Sequence, residues 1–302
     1  MKRSSFLRCA MLIPCFLIVT AIIAVGEQPG GGYEPKAGQW GKDVIWLPTE
    51  QAVMDRMLDM AKVTAQDYLI DLGSGDGRTV ISAAKRGARA LGIEYNPDLV
   101  SLARSNAERE GVADKARFVR GDLFEADLSQ ATVITMFLLP GLNLRLRPRI
   151  LALRPGTRIV SNSFDMGDWE ADDQVTAKEC YTYCTAYLWL VPARVEGTWK
   201  LPDGRLMLNQ SFQMVSGVFK SGSGKVRISD GRLSGERLSF TAGDTRYTAH
   251  VGSNTMEGTA SRGNSVKIWS ATRTSDVVRA SPRMPPATLL WALSVPWAGD
   301  GR

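Results

Sequence analysis

The chain has 302 residues, of which 44% are hydrophobic and 23% charged, and this composition excludes a mainly disordered, collagen-like or multi-span membrane protein. The formal net charge is +6, but Lys2, Arg3 and Arg8 precede every acidic residue, so residues 27–302 carry only +3. A remainder so close to neutral gives no reason to expect a nucleic-acid partner, and we predict none.

The N-terminal segment differs in composition from the rest of the chain. After its basic start comes an uncharged run from Cys9 to Gly26, which ends in the small-x-small sequence Ala-Val-Gly. This pattern predicts that residues 1–26 are a secretory signal peptide or a membrane anchor, with a buried helix of the folded domain as the alternative. We therefore expect an exported or membrane-anchored protein of the cell envelope or periplasm, and an anchor with a cytoplasmic-facing domain stays open.

Residues 27–44 are rich in Gly, Pro and charge and are predicted to form a flexible linker. Strands and helices then alternate over residues 45–191, which predicts a doubly wound, Rossmann-like parallel sheet of α/β class. The predicted strands are Tyr68–Leu72, Ala90–Glu94, Arg117–Arg120, Ala131–Phe137 and Thr157–Ser161, and the predicted helices are Thr49–Ala61, Arg78–Arg86, Asp98–Glu110 and Leu142–Leu153. Two antiparallel strands, at Val175–Cys180 and Tyr183–Val191, are expected to complete the sheet.

The C-terminal third has no helical period. Residues 193–274 are short alternating segments with a turn signal about every ten residues, which predicts a small all-β accessory domain, an antiparallel sandwich or barrel. Residues 275–302 form a Pro-rich tail. Outside the N-terminal segment the two cysteines, Cys180 and Cys184, form either a disulfide or two free buried thiols. With one histidine in the chain, His250, which is expected on the surface or packed in a strand, we predict no metal site.

The most informative segment is Asp71-Leu-Gly-Ser-Gly-Asp-Gly-Arg78, between a predicted buried strand and a helix. Glycines at such a junction let the backbone turn sharply and approach a ligand closely. The spacing departs from the Gly-x-Gly-x-x-Gly of dinucleotide-binding proteins because Arg78 stands beyond Gly77, and no Lys-Ser/Thr follows as in a phosphate-binding P-loop.

In this loop the sequence resembles the class I S-adenosylmethionine-dependent methyltransferases. The resemblance implies that the loop lines the methionine half of the cofactor, that Glu94 at the end of the second strand holds the ribose hydroxyls, and that Asp122 lies near the adenine amino group. Leu123 or Phe124 would cover the adenine face, and Thr49 would close over the cofactor or simply cap a helix. The implied cofactor-binding residues are Asp71, Gly73, Ser74, Gly75, Gly77, Glu94, Asp122, Leu123 and Thr49.

A narrower resemblance covers roughly residues 45–191. The segments Trp46-Leu-Pro-Thr, Gly121-Asp-Leu-Phe-Glu-Ala-Asp-Leu and Phe137-Leu-Leu-Pro140 are similar to a group of membrane-anchored or exported methyltransferases that includes mitochondrial protein-lysine methyltransferases. This implies methyl transfer to an amine, with a protein lysine as the acceptor. Phe137 stands where that group often has tyrosine, so any role of that hydroxyl is absent.

The acceptor face is predicted at the end of the fourth strand. Phe137 and Pro140 are candidate catalytic-site residues there, since an apolar surface would desolvate an amine. Asp165 is a third candidate, and it and Asp168 either reach the acceptor or belong to a solvated loop. The segment lacks the Asn/Asp-Pro-Pro-aromatic sequence of amino-directed nucleic-acid methyltransferases.

Two further functions remain as alternatives. The chain could be a catalytically inactive cofactor-fold module that binds partners in the cell envelope, or a methyltransferase that acts on a small molecule. The arginines at 145, 147, 149, 154 and 158 could form a patch for an acidic substrate. The spacing of the first three around a helix favours a solvated face instead.

Overall fold

The computed structural model describes residues 33–222 and 224–274, and all the elements below belong to the compact unit Pro35–Arg302. The predictions of a signal peptide or anchor at residues 1–26 and of a Pro-rich tail at residues 275–302 lie outside the described residues. Within the described part of the chain, no helix combines the length and the apolar character needed to cross a membrane.

The first half of the unit is a seven-stranded sheet in the order β3-β2-β1-β4-β5-β7-β6. Strands β1 to β5 pair in parallel, whereas β7 runs antiparallel to both of its neighbours, β5 and β6. The strand order reverses between β1 and β4, where an open α/β sheet forms its ligand crevice. The strands are β1 (Tyr68–Leu72), β2 (Arg89–Glu94), β3 (Ala116–Arg120), β4 (Val133–Met136), β5 (Arg158–Asn162), β6 (Asp173–Thr176) and β7 (Thr185–Leu190).

Four helices connect the first five strands or precede them. They are α1 (Gln51–Met60), α2 (Arg78–Lys85), α3 (Pro97–Arg109) and α4 (Pro140–Ile150). Local chemistry starts α3, because Pro97 occupies its first turn and the side chain of Asn96 accepts a 2.9 Å hydrogen bond from the backbone amide of Asp98. Helix α4 starts two residues earlier than predicted, also with a proline in its first turn, and ends sooner.

The sheet is covered by apolar side chains on both faces. Leu69 of β1 joins the cluster formed with α1, α2 and α3, while Ile70 and Leu72 point to the other face and join α4 and two tryptophans, Trp169 and Trp189. This alternation is why the strand carries apolar residues almost continuously. Its one acidic residue, Asp71, is therefore buried at the crevice.

The second half is a closed barrel of eight antiparallel strands, which decides between the two predicted all-β architectures. Trp199, five leucines and other apolar side chains form one buried cluster in this half, so the barrel has a packed core. The last strand pairs with the first at Thr272 with Lys200 and at Arg273 with Trp199, so the barrel closes where it began. The strands are β8 (Gly197–Leu201), β9 (Gly204–Ser211), β10 (Met214–Ser221), β11 (Gly224–Ser234), β12 (Arg237–Ala242), β13 (Thr245–Val251), β14 (Thr255–Arg262) and β15 (Ser265–Arg273).

Together these elements confirm the predicted fold class, a doubly wound Rossmann-like sheet followed by an all-β domain. His250 lies exposed on β13, with its Nε2 3.4 Å from Glu236, and is remote from the sheet crevice.

Candidate active site

The glycine loop between β1 and α2 keeps its shape through left-handed backbone conformations that glycine alone adopts freely. Gly75 has φ +54° and Gly77 φ +85°. A Cβ atom on Gly77 would lie 2.7 Å from the Phe118 ring, and one on Gly75 would lie 2.7 Å from Trp46 Nε1. A side chain at either position is therefore disfavoured both by the backbone conformation and by the lack of space. The amides of Gly73 and Ser74 both donate to Ile93 O of β2, which ties the loop to the neighbouring strand.

Asp71 is a buried acid at the start of this loop. Its carboxylate accepts a 2.6 Å hydrogen bond from the Thr135 hydroxyl on β4, and no cationic side chain in the described part of the chain pairs with it. Burial, together with the charges of Glu94 and Asp76, raises the pKa of Asp71 to about 7, although the Thr135 hydrogen bond acts to lower it. Asp71 therefore keeps its proton to a much higher pH than an exposed aspartate does.

Glu94 ends β2 and is held by backbone amides. Its Oε2 accepts from the Gly75 amide at 3.0 Å and its Oε1 from the Asn96 amide at 2.9 Å. Because each carboxylate oxygen can accept more than one hydrogen bond, both retain acceptor sites that face the cleft. Two hydroxyl groups at ribose spacing are the kind of ligand such a carboxylate holds.

Asp122 follows β3 and faces the same cleft, with Leu123 beside it. The ammonium of Lys42 donates a 2.6 Å hydrogen bond to Asp122 Oδ2, and the Phe124 amide donates to Oδ1 at 2.8 Å. The hydrogen bond from Lys42, with that from the Phe124 amide, lowers the pKa of Asp122 below its ordinary value. Lys42 also lies over the Tyr95 ring, 4.7 Å from its centroid.

Residues 39–49 form a flap along the cleft, and residues 39–44 at the end of the predicted linker belong to it. An isolated bridge pairs Trp40 with Ile45, and Trp46 lies against the glycine loop. The Gly- and Pro-rich composition concealed this role. The sequence signal that could have revealed it is the crowding of Trp40, Lys42 and Trp46 within a few residues of the predicted linker end.

Thr49 at the end of the flap is buried and does not cap α1. The position before the helix is Glu50, and no side chain caps its amides. Instead the Thr49 carbonyl accepts a 3.1 Å hydrogen bond from Arg78 of α2, and its hydroxyl lies 3.4 Å from Asn162 Nδ2 of β5. These contacts fasten the flap to the sheet beside the glycine loop.

The cleft between flap and sheet encloses about 1050 Å³ of empty space, part of it open to solvent. It is lined by most of the residues for which sequence reasoning implied a cofactor role. Gly77 does not line it, since that residue faces the packing between α3 and β3. The implied residues on its wall are Thr49, Asp71, Gly73, Ser74, Gly75, Glu94, Asp122 and Leu123.

Three aromatic rings from distant segments meet at the end of β4. The rings of Phe137 and Tyr183 are edge to face with centroids 5.2 Å apart, and Phe164 lies 6.0 Å from Phe137 and 5.8 Å from Tyr183. We call these three residues the aromatic chamber. Because Phe137 also lines the cleft, the aromatic chamber adjoins it. Tyr183 was not among the predicted site residues, and no local sequence pattern marks it.

A disulfide joins Cys180 to Cys184, which decides between the two states that the sequence left open. The loop it closes carries Tyr183, whose backbone φ is +58°. The loop is also attached to α1, because Glu50 Oε1 accepts from the amides of Tyr181 and Thr182 at 3.2 and 3.4 Å. The aromatic chamber thus depends on a cross-linked loop for one of its walls.

Two acceptor candidates predicted from sequence lie elsewhere. Pro140 is exposed in the first turn of α4, and Asp165 is outside the cleft, its Oδ1 accepting from the Gly167 amide at 3.0 Å. Asp168 pairs with Arg147. Both carboxylates are kept out of the cleft by the loop after β5, because Asp165 faces the backbone of that loop and Asp168 faces α4. Phe164 of the same loop is part of the aromatic chamber instead.

We predicted that the three arginines of α4 lie on a solvated face, and this is wrong for Arg147 and Arg149. Arg147 donates to the Met166 carbonyl at 2.7 Å, and Arg149 donates to the carbonyls of Phe124 and Ala126. Arg145 lies over the Phe124 ring, 3.7 Å from its centroid. These guanidinium groups fix loops to the sheet, which the spacing along α4 could not show. Among the described residues, no group of His, Cys, Asp and Glu could hold a metal ion.

A glycine loop at the strand-order reversal, followed by an acid at or just after the end of each of the next two strands, is the arrangement expected of a class I S-adenosylmethionine-dependent methyltransferase. The family model that matches the chain is described as the ANTKMT methyltransferase domain and covers residues 71–173. The protein-lysine N-methyltransferase of Saccharolobus islandicus is 40% identical over 151 residues, a match that covers 49% of this chain and 94% of that protein. The chain belongs to the methyltransferase family that this protein represents.

Two other similar proteins have narrower or looser matches. The adenine nucleotide translocase lysine N-methyltransferase of Mus musculus is 39% identical over 104 residues, which is 34% of this chain and 45% of that protein. The crystal structure of an RNA methyltransferase from Salinibacter ruber in complex with S-adenosyl-L-homocysteine is 51% identical and superposes with a TM-score of 0.47, covering 49% of this chain and 96% of that one.

Proposed function

We propose that this enzyme transfers a methyl group from S-adenosylmethionine to the side-chain amine of a lysine in another protein. The observation that carries the proposal is the aromatic chamber of Phe137, Phe164 and Tyr183 beside the cofactor cleft. The names of the two lysine methyltransferases that the chain resembles support the same acceptor.

The residues of the cleft fit S-adenosylmethionine. The Ser74 hydroxyl is buried and has no hydrogen-bond partner among the described residues, so a polar ligand group would satisfy it. The buried carboxylate of Asp71 suits the ammonium of the methionine portion, which the loop from Gly73 to Gly75 would enclose. Glu94 would hold the ribose hydroxyls, and Asp122 with Leu123 would hold the adenine, once Asp122 exchanges its contact with Lys42 for one with the base.

The cofactor supplies an activated methyl carbon on a sulfonium, so the protein has to align the acceptor and exclude water. A lysine ammonium has no free electron pair, and its pKa must fall before it can attack. The Phe137 and Phe164 rings offer no hydrogen bonds to a charged amine, so they favour its neutral form by desolvation. The aliphatic part of the lysine would pack along the same rings, which fixes its direction toward the cleft.

Exposed apolar side chains around the cleft favour a macromolecular acceptor over a small molecule. Trp40 is 86% exposed and Tyr181 is 97% exposed, one on the flap and the other in the disulfide loop. Leu139 and Leu144, at the start of α4, are also exposed. Trp40 lines the cleft, Tyr181 is close in the chain to Tyr183 of the chamber, and exposed apolar side chains of this kind are typical of a surface that another macromolecule covers.

We also propose that the enzyme works outside the cytosol, exported or anchored through its N-terminal segment. The Cys180–Cys184 disulfide supports this, because such bonds persist in oxidising compartments. A topology reporter fused after residue 190 tests it. A reporter signal from the outside is expected, and a cytoplasmic signal would overturn the proposal.

The acceptor is tested with tritiated S-adenosylmethionine and an array of lysine peptides, next to the same peptides with arginine in place of lysine. We expect label on the lysine peptides alone, and none with an Asp71→Asn variant. Structured RNA and a small-molecule extract are added as parallel acceptors. Label that enters either of these but not the peptides would contradict the proposal, and a folded protein that binds no cofactor in calorimetry would indicate an inactive binding module.

A further inference from the structure

The turn between β9 and β10 inserts a phenylalanine ring of the barrel into the edge of the methyltransferase sheet. Phe212 stacks on the fully buried Trp169, with ring centroids 5.8 Å apart and an angle of 12° between the planes. The backbone of Phe212 has φ +52°. A two-residue hairpin turn with this conformation at its first position normally carries glycine, so a phenylalanine there is conformationally costly. The contact of its ring with Trp169 offsets that cost.

The next residue makes a polar contact in the same direction. Gln213 is buried, and its Nε2 donates a 2.8 Å hydrogen bond to the Glu170 carbonyl. Its own carbonyl accepts from the Leu233 amide at 2.7 Å, which ties the turn to β11. Two residues further along the methyltransferase segment, Asp172 pairs with Arg232 of β11 at 2.7 Å. The barrel therefore holds residues 169–172 through stacking, a hydrogen bond and an ion pair.

Residues 163–172 form one loop, here called the acceptor loop, that links this contact to the aromatic chamber. Phe164 lies near its start, and the chain between Phe164 and Trp169 is held from the other side by α4. Asn143 Nδ2 donates to the carbonyls of Phe164 and Asp165 at 3.2 and 3.0 Å. Arg147 donates to the Met166 carbonyl, and its guanidinium lies 5.3 Å from the centroid of the Phe212 ring.

We propose that the barrel serves the reaction by positioning the acceptor loop, with Phe212 and Gln213 as its positioning residues. Neither residue is part of the aromatic chamber. They fix one end of the acceptor loop while Asn143 fixes the other, so that Phe164 meets Phe137 and completes the wall. The inference rests on the proposed function, because the place of Phe164 affects turnover only if the chamber receives the acceptor.

The test uses full-length variants. Phe212→Gly removes the ring and suits the turn conformation, so the hairpin keeps its shape; Gln213→Ala removes the hydrogen bond to Glu170. Val266→Ala is the control, since Val266 lies on β15 of the same barrel and its side chain is mostly exposed. For the first two variants we expect an unchanged dissociation constant for S-adenosylmethionine. We also expect a kcat/KM lower by roughly tenfold, mainly through KM, for the most strongly labelled peptide of the array.

Hydrogen exchange gives a measurement that needs no acceptor. Amides of residues 163–172 should exchange faster in Phe212→Gly and Gln213→Ala than in the parent or in Val266→Ala, while the glycine loop stays protected. Phe212→Tyr, which retains a stacking ring, should restore both exchange and KM. Unchanged amide exchange in residues 163–172 would overturn the inference. Faster exchange throughout the sheet would also overturn it, because it would indicate general destabilisation. If the parent methylates no lysine peptide, the proposed function fails and the exchange data still decide the positioning role.

Discussion

Asp71 and Thr135 are register partners on β1 and β4, and the Thr135 hydroxyl donates a 2.6 Å hydrogen bond to Asp71 Oδ1. A carboxylate can accept about four hydrogen bonds, so this buried group is poorly compensated when ionised. The pair joins the two strands between which the strand order reverses. The crevice of the sheet therefore contains an acid that an incoming cation would stabilise.

The affinity for S-adenosylmethionine should decrease as the pH is lowered below about 7. The pKa of Asp71 is raised to about 7 in the free protein. The ligand ammonium would favour the ionised form, so binding releases a proton. Affinity should then weaken by up to about tenfold for each pH unit below 7, until the pKa of the complex is reached. Calorimetry from pH 5.5 to 8, in two buffers with different ionisation enthalpies, measures the dissociation constant and the number of protons released on binding.

Asp71→Asn is the control for that pH dependence. The variant should bind the cofactor weakly and with no proton release near neutral pH, whereas Asp76→Asn should retain the release. A parent protein whose affinity is the same at pH 6 and pH 8 would contradict the assignment.

The free protein should lose stability as pH rises toward 7. Asp71 binds its proton more tightly folded than unfolded, since its pKa moves from 3.8 to about 7. The stabilising contribution is complete below pH 4 and is lost as pH rises through 7, at up to about 1.4 kcal/mol per pH unit. Urea unfolding at pH 5 and pH 8 measures this change, which should shrink in Asp71→Asn. An equal pH dependence in the variant would assign it to other groups.

Gly77→Ala should destabilise the fold by about 3 kcal/mol, because the new Cβ would lie 2.7 Å from the Phe118 ring in a backbone conformation unsuited to alanine. Gly111 also has a positive φ, +68°, but has open space around it. Gly111→Ala is therefore the matched control, with an expected loss of about 1 kcal/mol. Urea denaturation measures both, and equal losses would show that the contact with Phe118 is unimportant.

Tyr183→Ala should lower kcat/KM for lysine peptides by roughly tenfold or more without changing cofactor affinity, because it opens one wall of the aromatic chamber to water. Thr182→Ala serves as the control, since its side chain is exposed in the same loop and makes no contact with the chamber rings. Steady-state kinetics with calorimetry separates the two effects. Equal losses in both variants would place the acceptor on the loop surface and not in the chamber.

Reduction of the Cys180–Cys184 bond should lower turnover while leaving the cofactor cleft intact. The short loop it closes contributes about 2 kcal/mol to stability, and its loss frees Tyr183 from the chamber. A double Cys→Ser variant should reproduce the effect of reductant and be insensitive to it. Thiol titration before each assay establishes the redox state. Full activity after complete reduction would show that the attachment to Glu50 suffices.

The sheet and the cofactor wall could be predicted because their signals are local. The apolar strands, the run from Asp71 to Gly77 and the acids Glu94 and Asp122 each lie within a few residues of a strand end, where topology brings them together. Their roles toward the cofactor remain predictions that the binding experiments test.

The acceptor side could not be predicted in this way because it is assembled from separate parts of the chain. Phe137, Phe164 and Tyr183 follow three different strands, and no periodicity connects them. Lys42 stood in a segment whose composition indicated a linker. Asp165 drew attention as a carboxylate but faces its own loop. Whether alternating strands close into a barrel also depends on long-range pairing, such as that of Thr272 with Lys200.

That pairing has an evolutionary consequence. Thr274 donates its amide hydrogen bond to the Thr198 carbonyl at 2.9 Å, so the polypeptide enters and leaves the barrel side by side. A module with adjacent ends can be grafted onto a host chain, or excised from it, at a single point without disturbing either core. The match with the relative from Saccharolobus islandicus covers 49% of this chain and 94% of that protein. A fusion of the barrel, with the Phe212 hairpin intact, to the C-terminus of that enzyme would show whether the barrel also positions the acceptor loop there.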